Sequence, residues 1–118
     1  MNPEYKQALI EHKADLKNAL LRVAGNEDIY ERLLQKFLLD QNFSNLKTCL
    51  TTQNYENAFP YAHTLKGLAG NLGLTPIYES VDPIVELLRN NTTEGISELF
   101  LSLEQTYNDF YNLIRSYT

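Results

Sequence analysis

Ala62-His63-Thr64-Leu65-Lys66-Gly67-Leu68-Ala69-Gly70-Asn71-Leu72-Gly73 is the stretch whose periodicity decides the fold. Measured from His63 at roughly 100° per helical residue, Lys66, Gly67 and Gly70 fall within about 60° of the histidine, and Leu65, Leu68, Ala69 and Leu72 fall opposite. Continued backwards, Ala58 and Tyr61 join the apolar side, and Glu56, Phe59 and Pro60 join the histidine side. One face is core and the other displays a histidine. Each glycine inside a helix costs roughly 1 kcal/mol relative to alanine. Gly67 and Gly70 lie on the displayed face, where no packing is gained, and their expected purpose is access to His63.

Asn54 is the expected N-cap of this helix and Gly73 its left-handed terminator. Pro60 lies inside it, removes one backbone donor and is expected to bend the helix just before His63. Downstream, Thr75-Pro76 reads as a cap followed by a proline at the first helical position. Ile77, Val81, Ile84, Leu87 and Leu88 continue as a core stripe, with Pro83 awkwardly placed among them. Asn90 to Thr93 reads as a turn. Ile96, Leu99, Leu103, Tyr107, Phe110, Ile114 and Tyr117 then mark a long last helix at three- and four-residue steps.

Upstream, Asn2-Pro3 starts a helix whose stripe of Tyr5, Leu9, Leu16, Ala19, Leu20 and Val23 ends near Gly25. His12 either lies half-buried on that stripe or, if the helix breaks near residues 11 to 14, faces solvent. Its neighbours Glu11, Lys13 and Asp15 favour the break, and His12 is not assigned a function. Asn26 caps the next helix, with Glu27 and Asp28 in the first turn where the dipole favours acids. Tyr30, Leu33, Leu34, Phe37 and Leu38 form its stripe. Asn42 to Ser44 look like a joint before a shorter helix carrying Leu46, Cys49 and Leu50. No strand alternation or internal repeat appears. The pattern predicts an all-α fold, an antiparallel four-helix bundle with additional N-terminal helical segments, in a single domain of residues 1–118.

The composition is that of an ordinary globular chain, 43% hydrophobic and 21% charged. A lone cysteine, Cys49, forms no internal disulfide and reads as a small apolar residue. No apolar run is long enough to span a bilayer and no signal peptide is evident, so a cytoplasmic protein with no membrane attachment is expected. The formal net charge of −5 argues against nucleic-acid binding, which relies on Lys and Arg against phosphates.

At Ala62 to Leu74, AHTLKGLAGNLGL, the sequence resembles the histidine-containing phosphotransfer (HPt) domain family, whose signature is an Ala-His pair followed by Leu-Lys-Gly and a glycine-terminated stretch. Similarity extends more weakly across residues 15 to 115. The resemblance implies that His63 accepts a phosphoryl group from a receiver-domain aspartate and passes it to another receiver's aspartate. It implies receiver domains of response regulators as partners, with a hybrid sensor histidine kinase as a possible source. Mg²⁺ is expected in the receiver, and no cofactor or metal in this chain, which lacks the nucleotide loops and acidic clusters of a kinase.

The chemistry of the residues agrees. A neutral imidazole has a free lone pair near pH 7 and attacks phosphorus without a strong base beside it. Lys66 offers a point charge to phosphoryl oxygens, and Gly67 and Gly70 leave room for attack. Phe59 reads either as lateral helix packing or, with Glu56, as part of the surface that docks the receiver. A site that meets two receivers in turn favours a monomer. Two other functions remain open. One is an adaptor that binds receivers without phosphorylation and tolerates loss of His63. The other is a helix-turn-helix DNA-binding domain spanning Leu68 to Val81, whose recognition helix would carry the ill-suited acids Glu79, Asp82 and Glu86.

Overall fold

The computed structural model describes all of residues 1–118 and contains seven helices. They are α1 (Pro3–Glu11), α2 (Leu16–Leu21), α3 (Glu27–Phe37), α4 (Asn42–Thr51), α5 (Tyr55–Leu72), α6 (Thr75–Arg89) and α7 (Ile96–Ser116). Helices α4 to α7 form the antiparallel four-helix bundle, and α1 to α3 are the additional N-terminal segments. Short turns force consecutive bundle helices to run in opposite directions. The bundle closes where α4 meets α7: Phe43 stacks on Tyr107 at 4.0 Å and Lys47 pairs with Glu104 at 2.6 Å. Helix α1 lies antiparallel along α7, with Tyr5 stacked on Tyr117 and His12 edge-on to Phe110. None of the helices is long and apolar enough to cross a membrane.

Of the two readings of His12, the structure shows the break: α1 ends at Glu11, α2 begins at Leu16, and His12 is exposed between them. Its Nδ1 lies 2.9 Å from the Ala8 carbonyl, a local helix-end contact. Two boundaries differ from expectation. The joint at Asn42 to Ser44 is the first turn of α4, because the Asp40 carboxylate accepts from the Asn42 amide at 2.9 Å and Phe43 is drawn into the aromatic stack. Leu74, not Thr75, occupies the cap position of α6, since Leu74 is fully buried and Thr75 and Pro76 already have helical geometry.

Helix α5 is bracketed as its sequence dictates. The Asn54 side chain accepts from the Asn57 amide at the start, and Gly73 turns left-handed at the end with φ +71°. The Leu74 amide then donates to the Ala69 carbonyl at 2.9 Å, which satisfies a carbonyl the helix leaves orphaned. The helix runs on through Pro60, whose ring faces solvent, so the missing donor disturbs only the outer side.

The buried line of α5 is Ala58, Ala62, Leu65, Ala69 and Leu72. Tyr61 and Leu68, expected in the core, are only half-buried at its edges, and Ala62 takes the central place. The small side chains at 58, 62 and 69 let neighbouring helices approach closely. Burying each leucine contributes about 1.5–3 kcal/mol, so rolling α5 to hide His63 would expose Leu65 and Leu72 with nothing in exchange. The rotation that exposes His63 is therefore set by the core.

Candidate functional site

His63 is exposed on α5, and no hydrogen bond within the chain holds its ring. The imidazole lies 5.8 Å from the Phe59 ring, one turn earlier, at a tilt of 31°. Phe59 is half-buried against the core, and the Arg89 guanidinium sits 5.7 Å from its ring centroid. One side of Phe59 packs laterally against the core and the other borders an open groove. That groove is also lined by Tyr55, Glu56, Leu88 and Thr92, and it places Glu56 at its exposed edge.

Lys66 has a partner within the chain. Its Nζ lies 2.6 Å from Asp82 Oδ1 on α6 and 5.3 Å from the centroid of the Tyr78 ring. The side chain is only 22% exposed, against 42% for Asp82. The hydrogen bond from the ammonium to Asp82 raises the Lys66 pKa above the ordinary lysine value, so the charge persists at any physiological pH.

The two glycines have different surroundings. A Cβ on Gly67 would meet nothing within 4 Å, whereas one on Gly70 would meet the Tyr78 ring at 3.3 Å and 3.5 Å. The face over Gly67 is open. Gly70 instead seats an aromatic ring from α6, which corrects its reading as a second opening. Gly67→Ala is expected to raise stability by about 0.5–1 kcal/mol, the ordinary helix gain of alanine over glycine. Urea denaturation checks this, and a loss of stability would show that the space over Gly67 is not free.

These contacts form a ladder between α5 and α6. Tyr78 meets Gly70, Asp82 meets Lys66, and Arg89 meets Phe59, so equal steps down one helix and up the other stay in register. Two helices aligned side by side over this length are an antiparallel hairpin. A helix-turn-helix crosses its two helices at a steep angle, so the DNA-binding reading is set aside. His63 projects between the lower two rungs, where Val85 is buried and Glu86 turns to Arg89 at 3.3 Å. The sequence reading did not place Asp82, Tyr78 or Arg89 in this site, and weighed Asp82 only as an ill-suited acid of a recognition helix. Their only signal was the helical spacing of 78, 82, 85 and 89, which does not say which α5 residue each one faces.

Chemically, the site offers an accessible imidazole nitrogen, a permanent cation one turn away and a flat patch of backbone at Gly67. The model of the Hpt domain family matches residues 4–112. No curated protein and no solved structure shows significant similarity to the chain.

Proposed function

The chain belongs to the Hpt domain family, which works in phosphotransfer of two-component signalling with receiver domains as partners, and from that membership we propose that His63 is the residue that carries the phosphoryl group. The observation that supports this most is the exposure of His63 on a face whose rotation is set by Leu65 and Leu72. In the forward step a ring nitrogen of His63 forms a bond to phosphorus as the bond from phosphorus to the receiver's aspartyl oxygen breaks. The carboxylate leaves with the electron pair. The onward step is the same exchange in reverse, to the aspartate of a second receiver.

Transfer of this kind is governed by positioning and charge stabilisation. Lys66 supplies positive charge toward the phosphoryl oxygens, and the open face at Gly67 admits the partner's backbone. Gly70 contributes by seating Tyr78 against Lys66. Phe59 and Glu56 border the surface that docks the receiver, and the receiver brings the Mg²⁺. The cytoplasm, where receivers work, is the proposed compartment, and a monomer is the proposed state. Incubation with a panel of phosphorylated receivers tests the proposal. An acid-labile, base-stable phosphoryl group should appear on this chain with at least one of them, and no transfer from any receiver would overturn it.

A further inference from the structure

The position of Lys66 is determined by α6. Its ammonium sits beside the Tyr78 ring and ends on the Asp82 carboxylate, and Tyr78 is itself seated over the bare backbone of Gly70. The other acidic group that acts on Lys66 is Glu86, which is paired with Arg89 at 3.3 Å. Arg22, which borders the same groove, donates to the Asn71 carbonyl. In the unphosphorylated protein, then, the positive charge nearest His63 in sequence is already matched by a carboxylate.

We propose that Asp82 is a positioning residue for phosphotransfer: it holds Lys66 at rest and competes with the phosphoryl group of phosphorylated His63 for the same ammonium. The inference rests on the reading of His63 as the acceptor. A single ammonium serves two anions, and the phosphoryl group draws it only as far as Asp82 releases it. Asp82 therefore limits how strongly this chain retains the phosphoryl group and favours handing it on.

A receiver-free experiment tests this. Phosphoramidate phosphorylates exposed imidazole directly: its phosphorus–nitrogen bond breaks, ammonia leaves with the electron pair, and the ring nitrogen bonds to phosphorus. Phosphorus NMR then follows the second ionisation of the phosphohistidine, and comparison with His63→Gln separates its signal from any on His12. A nearby ammonium favours the dianion and lowers the midpoint. Asp82→Asn, which keeps the side-chain size and frees Lys66, should lower it by about 0.3 to 0.7 pH units, the two- to five-fold effect of a half-exposed ion pair. In a Lys66→Ala background the same substitution should have little effect, because Asp82 acts through the lysine. An unmoved or raised midpoint in Asp82→Asn, or an equal fall in both backgrounds, overturns the inference and leaves the acceptor intact. A spectrum unchanged by His63→Gln overturns the acceptor and the inference together.

Discussion

His63→Gln takes up no acid-labile phosphoryl group from any phosphorylated receiver, and its helical circular dichroism and urea midpoint stay close to those of the unmodified chain. The chemical half follows from the atoms. Glutamine keeps the length and polarity of the side chain but has no ring nitrogen with a lone pair available to phosphorus. The structural half follows from the surroundings: His63 is exposed, and surface substitutions of this kind stay within about 0.5 kcal/mol. The only other histidine, His12, lies at the end of α1, beside the Ala8 carbonyl and against Phe110. Loss of label therefore reports on His63 alone. A receiver-derived label that persists in the variant would remove His63 as the acceptor. Receiver binding that survives in the variant is expected, since Phe59 and the open face at Gly67 remain. If signalling in cells also survived, the phosphorylation-independent adaptor would become the better reading.

The difference between what was legible and what was not runs along the line between local and cross-helix chemistry. Asn54 and Gly73 bracket α5 because an Asx cap and a left-handed glycine act within a few residues of themselves, and the sequence states both. His63 was placed outward correctly for the same reason, since one helical repeat relates it to Leu65 and Leu72. Ala62 was missed because a small side chain adds little to a hydrophobic pattern, yet packing needs it where helices approach closely. Phe43 was assigned to a joint because Asn42, Ser44 and Asn45 are weak helix formers. Its stacking on Tyr107, 64 positions away in the chain, supplied the packing that overrides that propensity. The surroundings of Lys66 and Gly70 were illegible for the most basic reason. Which residue of α6 meets which residue of α5 is a matter of register between helices, and the period of 3.6 carries no information about it.

Gly73→Ala is expected to destabilise the fold by about 2–4 kcal/mol, the sum of a left-handed backbone penalty of 1–2 kcal/mol and the loss of a close packing contact. The backbone at Gly73 has φ +71°, where any side chain is strained. An added Cβ would also lie 2.5 Å from the Asp15 carbonyl oxygen and 3.0 Å from the Ala19 Cβ. Neither can yield cheaply, because the Asp15 amide donates to the Gly73 carbonyl at 2.7 Å and the Asp15 carbonyl accepts from Ala19 to open α2. Tyr30 ties a third element to the same place, its hydroxyl donating to the Leu72 carbonyl at 2.7 Å. The end of α5 is thus the point where α2 and α3 are fastened to the bundle, and moving it loosens the N-terminal segments as a group. Urea denaturation should show a lower midpoint with a similar slope, and a change below about 0.5 kcal/mol, the size of an ordinary surface substitution, would sink the argument. Gly73 lies ten residues beyond His63, about 15 Å along the helix, so the fraction that remains folded should accept phosphoryl groups at the ordinary rate. The two variants then separate what this helix does at its exposed middle from what it does at its buried end: His63→Gln loses the chemistry and keeps the stability, and Gly73→Ala loses stability and keeps the chemistry of the folded fraction.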